Sequence, residues 1–160
     1  MLSQFQQLSL ATEGRYASDA ELEFIVTYVR SFALRAQTYA KLQELETKLV
    51  QQTYLKIRSI DPAIFNYNRA DVSTKWKQDT IRVLRYISVA VLIDDSNTLR
   101  ERFLIWFQTV MRAFETQKSC NITYQVLQDV VKQHLTAAQA ELVCPMLELT
   151  RLSLSSKPGF

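Results

Sequence analysis

Trp76-Lys77-Gln78-Asp79-Thr80-Ile81-Arg82-Val83-Leu84-Arg85-Tyr86-Ile87-Ser88-Val89-Ala90-Val91-Leu92 is the stretch on which the fold turns. Trp76, Val83, Tyr86 and Ala90 recur at helical steps, and Ile81, Leu84, Ile87, Ser88 and Val91 fill the adjoining stripe. That spacing predicts a long amphipathic helix that becomes enclosed toward its C-terminus. Asp79, Arg82 and Arg85 are charges placed along it.

Outward from this helix, the composition sets the class. Of 160 residues, only Gly14 and Gly159 are glycine and only Pro62, Pro145 and Pro158 are proline. Sheets and tight turns draw on both residues, so the chain is expected to be almost all α-helix. A hydrophobic share of 48% with 22% charged residues suits a folded chain with a real core and is wrong for a disordered one. The net charge of +3 is spread out, with no Lys/Arg run that reads as a nucleic-acid patch. No apolar run approaches the roughly 18 to 20 residues that span a bilayer, and no signal-peptide pattern opens the chain. Cys120 and Cys144 make neither metal spacing nor a disulfide framework, and are expected as free thiols in a reducing cytosol.

Read in order, Leu2, Phe5, Leu8 and Leu10 suggest a short helix, broken at Glu13-Gly14-Arg15-Tyr16. Ser18 with Glu21 three residues on forms a capping box for a second helix to about Arg30. Ser31 to Ile60 reads as one or two helices, stopped by Asp61-Pro62. Ala63 to Asp71 reads as a loop, and Ser73 as the N-cap of the central helix. Further helices are expected over about Leu99–Glu115 and Thr123–His134, separated by a turn at Lys118-Ser119-Cys120-Asn121. Thr136 with Gln139 caps the last helix, which should kink or restart at Pro145 and fray from Ser153. Two N-terminal helices followed by a body of about six form a globin-like plan, though periodicity alone does not separate it from a four-helix bundle.

Four segments, in order, resemble the phycobiliproteins, the globin-fold antenna subunits of phycobilisomes. They are E-G-R-Y-A-S-D-A-E-L (Glu13 to Leu22), S-F-A-L-R-A-Q (Ser31 to Gln37), K-W-K-Q-D-T-I-R-V-L-R-Y (Lys75 to Tyr86) and D-S-N-T-L-R-E-R-F-L (Asp95 to Leu104). The resemblance implies one all-α, globin-like domain over 1–160: an N-terminal helical hairpin at 1–31, a globin body at 32–153 and a tail at 154–160. Family members carry C-x-R-D-x-x-x-x-L-R-Y, whose cysteine holds an open-chain tetrapyrrole by a thioether. Here Trp76 stands at the cysteine and Gln78 at the arginine, while Asp79, Leu84, Arg85 and Tyr86 match. An indole has no thiol, so no covalent bilin is expected there. Cys120 and Cys144 do not fall where the family attaches a second bilin, which aligns near Thr136.

The resemblance also orders the functional readings. The first is a non-enzymatic subunit acting by protein contacts in phycobilisome or thylakoid assembly, attachment or regulation. Its partners would be phycobilisome or thylakoid-associated proteins, or a second copy bound through the N-terminal helices. Nucleic acid and a membrane span are not expected. The cytoplasm, at the cytoplasmic face of the thylakoid, is the expected location. Tyr16, Arg85 and Tyr86 are the interface residues this implies. The second reading is a noncovalent carrier or sensor of a bilin or other tetrapyrrole, using Trp76, Lys77 and Asp79. The third is a pigment-free globin-type signalling module. Against the second stand ordinary roles: Trp76 as a core aromatic and Asp79 as the partner of Lys75 or Arg82. His134, near a helix C-terminus, is expected exposed and not a haem ligand. No catalytic triad, glycine-rich phosphate loop or metal spacing is present, so no enzyme is expected.

Overall fold

The computed structural model describes residues 1–156, so the last four residues of the expected tail lie outside the described part. Helix α1 (Leu2–Ala11) is followed by a turn in which Gly14 adopts φ +76°, a conformation open to a residue without Cβ. Helix α2 (Asp19–Ile60) begins at the Ser18–Glu21 capping box and runs unbroken for 42 residues. The expected boundary near Arg30–Ser31 is therefore absent. Neither Gly nor Pro interrupts the segment, and Ser31 is accommodated inside the helix by donating to the Tyr28 carbonyl.

Asp61 ends α2, and its side chain accepts the Ala63 N–H at the start of a 3₁₀ turn, Pro62–Phe65. The expected loop then proves to hold a small antiparallel hairpin, β1 (Asn66–Tyr67) with β2 (Ala70–Asp71). Its two central residues, Asn68 and Arg69, both have positive φ, as a two-residue hairpin turn requires. Helix α3 (Ser73–Ile93) is the Trp76–Leu92 stretch. Ser73 is its first residue and not its cap; the Ser73 N–H is instead taken by Asp71 Oδ1 at 2.7 Å.

Asp94 closes α3 in the left-handed region (φ 51°). The next helical run comprises α4 (Ser96–Leu99), a π-helical turn (Arg100–Leu104) and α5 (Ile105–Ala113). Lys118–Asn121 is not a turn. It forms the first coil of α6 (Gln117–His134), and Cys120 is thereby buried. Helix α7 (Ala137–Ser155) carries both halves of the Thr136–Gln139 capping box and continues through Pro145 without restarting. It also extends past the expected frayed start at Ser153, because Leu154 is fully buried. His134 is half-buried, not exposed, and hydrogen-bonds Gln52 on α2.

The fold is all-α and globin-like. Helix α3 lies at the centre: Val83, Leu84, Ile87 and Val91 meet Leu42 and Leu49 of α2, Phe103 and Leu104 of the π turn, and Val143 and Leu147 of α7. Each buried aliphatic side chain there contributes about 1.5–3 kcal/mol of transfer free energy. Two polar clasps lock the end of α3. Arg35 of α2, nearly buried, donates to the Val91 carbonyl at 2.9 Å and pairs with Asp94 at 2.8 Å, placing a cation at a helix C-terminus. Asp95 is buried and accepts the N–H and hydroxyl of Ser3 and the N–H of Thr98, which ties α1 to the α3–α4 corner. Burial alone would raise the Asp95 carboxyl; the bonds from Ser3 and Thr98 outweigh it and hold the group below the usual carboxylate range.

Candidate functional site

The N-terminal half of α3, the hairpin, α5 and the start of α6 enclose a cavity of about 430 Å³. Trp76 forms one wall. Its indole packs edge-on to Phe65 (5.2 Å) and lies 6.2 Å from the Tyr54 ring, so it belongs to a small aromatic cluster beside the main core. Its Nε1–H donates to Thr123 Oγ1 at 3.0 Å, which joins α3 to α6 across the cavity floor. The opposite wall is Trp106, Phe107, Val110, Met111 and Phe114, one face of α5 and the residue after it. Tyr67 of the hairpin meets Phe114 edge-on at 5.9 Å and bridges the two walls at one end.

The floor is polar and buried. Thr80 donates to the Trp76 carbonyl at 2.7 Å, and Cys120, Thr123 and Tyr124 come from successive turns of α6. Burial pushes the Cys120 thiol up to about 12, so it is a protonated, poorly nucleophilic group. Burial likewise raises the Tyr124 phenol, with the charge of Asp79 adding to it. The rim is charged. Asp79 is shared by Lys75 (3.4 Å) and Arg82 (3.8 Å), and Lys118 pairs with Asp61 at 2.9 Å, a bond that holds the Asp61 carboxyl below its ordinary value.

Of the three residues expected to meet a ligand, Trp76 and Asp79 both line this cavity. Lys77 does not: its ammonium sits over the Tyr54 ring, 4.1 Å from the centroid. Sequence reading missed Thr123 and Tyr124. The signal was present in the three- and four-residue steps from Cys120 through Thr123 and Tyr124 to Leu127, but polar residues on a helix face are ordinarily read as solvated.

The expected interface residues lie elsewhere. Arg85 makes a bidentate pair with Glu46 of α2 (2.9 and 2.6 Å), which lowers the Glu46 carboxyl. Tyr86, 43% exposed, stacks on Phe103 with ring centroids 4.1 Å apart. Between them and Arg102 runs a shallow groove of about 270 Å³ floored by Val89, Ala90 and Leu99. Tyr16 is 98% exposed and so touches neither Arg85 nor Tyr86 within the chain. The turn that presents it is braced: Arg15 donates to both carboxylate oxygens of Glu21 and to the carbonyls of Ala11 and Tyr16. The bonds to Glu21 from Arg15, with those from the Ser18 N–H and hydroxyl, hold its carboxyl at about 2.

Among the described residues no group of three or more His, Cys, Asp or Glu is placed to hold a metal ion, and no helix is long and apolar enough to cross a membrane. No curated protein matches the chain. The family description that does match is "phycobilisome protein", over residues 8–154, and this range takes in the N-terminal turn, the Trp76–Leu92 helix and the whole cavity. With that span added to the all-helical globin-like fold, the chain belongs to the phycobilisome protein family.

Proposed function

We propose that this chain is a non-enzymatic assembly subunit of the light-harvesting antenna, working through protein–protein contacts and carrying no covalent bilin. The observation that carries the reading is the apolar face left open on the N-terminal helices. Helix α1 folds back on α2 through Phe5 and Phe24, whose rings meet at 5.2 Å, yet none of its residues is buried. Leu2, Leu10, Val29 and Phe32 stay about half or more exposed alongside the fully exposed Tyr16. Large apolar side chains left this exposed on two neighbouring helices favour a docking role for that end of the chain. The Arg85–Tyr86 groove supplies its complement: guanidinium groups at the edges, an apolar floor, and a stacked phenol. Its occupant is another phycobilisome or thylakoid-associated protein, or a second copy of this chain. The cytoplasmic face of the thylakoid follows as the place of action.

The family's pigment is a covalent bilin, and the residues present do not fit that attachment. The indole of Trp76 is already committed to Thr123, and the thiol on the cavity floor, Cys120, is buried and protonated. Capture on a tagged full-length chain from phycobilisome-containing cells, followed by mass spectrometry, tests the reading. Antenna or antenna-attachment proteins are expected. Recovery of soluble metabolic enzymes alone, or pigment that stays on the chain after denaturation, overturns it.

A further inference from the structure

We propose that Ser156 is a phosphorylation site, its phosphate held by Arg112 across the gap between α5 and the end of α7. Gln108 and Arg112 lie one turn apart on α5, and both reach the last turn of α7. Gln108 Nε2 donates to the Ser153 carbonyl at 2.7 Å and to Ser156 Oγ at 2.6 Å, and Arg112 Nη2 donates to the same Oγ at 3.1 Å. The Ser156 hydroxyl donates in turn to the Ser153 carbonyl at 3.0 Å. A single neutral oxygen thus gathers two donors, one of them cationic. Arg112 Nε is fully enclosed and, among the described residues, has no acceptor. Buried polar groups are almost always paired, so this one marks an unfilled place.

The shape of that place names the group. Nε and Nη2 form one edge of a guanidinium, and elsewhere in this chain that edge grips two oxygens at once. Arg85 holds both carboxylate oxygens of Glu46 with it, and Arg151 both of Glu148. At Arg112 the edge is half filled: Nη2 has Ser156 Oγ, and Nε has nothing among the described residues. A phosphoryl group on Oγ brings three acceptor oxygens, enough for Nε, Nη2 and Gln108 Nε2 together. A free anion has no such route, because the Ser156 hydroxyl already stands in front of the edge. Ser156 is also open to a kinase: it follows the last helical residue, its backbone is extended (φ −64°, ψ 131°), and it is only half-buried. In the transfer, Oγ attacks the terminal phosphorus of a nucleoside triphosphate brought by a kinase in trans. The new O–P bond replaces the bond to the bridging oxygen, the nucleoside diphosphate leaves, and the hydroxyl proton passes to the kinase's base. The dipole of a helix C-terminus repels a negative charge, so the modification tightens α7 onto α5 only while Arg112 is there to meet it. The site is separate from the docking faces and does not depend on the assembly role.

Two measurements test it. The full chain, incubated with soluble extract of phycobilisome-containing cells and terminally labelled adenosine triphosphate, should take up phosphate at Ser156. Peptide mapping separates this from Ser153 and Ser155, and Ser156→Ala should lose the label. A chain carrying genetically encoded phosphoserine at position 156 should melt ~2–4 °C higher than the unmodified chain, whereas in Arg112→Gln the same phosphate should lower Tm or leave it unchanged. No label at Ser156, a phosphate that fails to raise Tm beside Arg112, or a rise in Tm that Arg112→Gln retains overturns the proposal. If Arg112→Gln fails to fold, phosphorus NMR of the phosphoserine chain decides in its place. The second ionisation should fall below its ordinary value of about 6, and a midpoint at or above that value overturns the proposal.

Discussion

The bond between Trp76 and Thr123 offers a measurable account of how the cavity is held open. Its geometry, Nε1 to Oγ1 at 3.0 Å between α3 and α6, is that of a full hydrogen bond, and Thr123 is 98% buried by its 2% exposure. Trp76→Phe removes the donor and part of the ring while keeping the edge-on contact with Phe65. The lost bond is worth about 0.5–1.5 kcal/mol net, and the smaller ring adds about 0.5–1 kcal/mol of lost apolar burial. Thr123→Val keeps the shape, removes the acceptor and strands an indole N–H that is only half-buried, for about 1 kcal/mol. If both changes act through the same bond, the double variant costs less than the sum of the two, with a coupling of about 1 kcal/mol. For a chain of this length, 1 kcal/mol corresponds to a Tm shift of ~2–4 °C. Urea unfolding of the four proteins followed by circular dichroism reads the coupling directly. A value under ~0.3 kcal/mol refutes the reasoning, because it makes the two residues energetically independent.

Other consequences are equally concrete. Asp95→Ala should destabilise the chain by about 3 kcal/mol in urea unfolding, because it leaves the N–H groups of Ser3 and Thr98 without their acceptor. Since the folded Asp95 carboxyl is held below its unfolded value, its contribution is complete above about pH 4 and is lost as pH falls further; the acid limb of a stability–pH profile should flatten in Asp95→Asn. Alkylation of the native chain should reach Cys144, which is only partly buried, well before the enclosed Cys120, as peptide mass mapping would show; equal rates would contradict the burial of α6's first turn. Arg85→Glu breaks an exposed pair and so costs at most ~1 kcal/mol of stability, yet it should abolish capture of the partner; capture at wild-type yield would place the interface elsewhere.

Much of the fold was legible in the sequence, and for identifiable reasons. The scarcity of glycine and proline gave the all-helical class, and the boxes at Ser18–Glu21 and Thr136–Gln139 placed two helix starts that the structure reproduces in full. The errors cluster where local signals were weak. Ser31 looked like a boundary, but a serine that bonds back to the preceding turn does not break a helix. Lys118–Asn121 looked polar enough for a turn, but its Cys120 faces inward and packs against the core. The hairpin at Asn66–Asp71 uses left-handed Asn68 and Arg69 where glycine is the usual cue, so nothing in the composition announced it. The candidate site was half legible. Trp76 and Asp79 share a helix face by spacing, whereas Tyr124 and the α5 wall reach them only through tertiary packing, and Lys77 one residue away turns to the Tyr54 ring instead.

Amide hydrogen exchange, measured on the chain alone and in the complex it captures from phycobilisome-containing cells, tests the assembly role most directly. The account predicts new protection around Tyr16, along the exposed face of α1 and the first turns of α2, and on α3 from Arg82 to Val89. Protection confined to the mouth of the Trp76 cavity, or none at all on those faces, contradicts it.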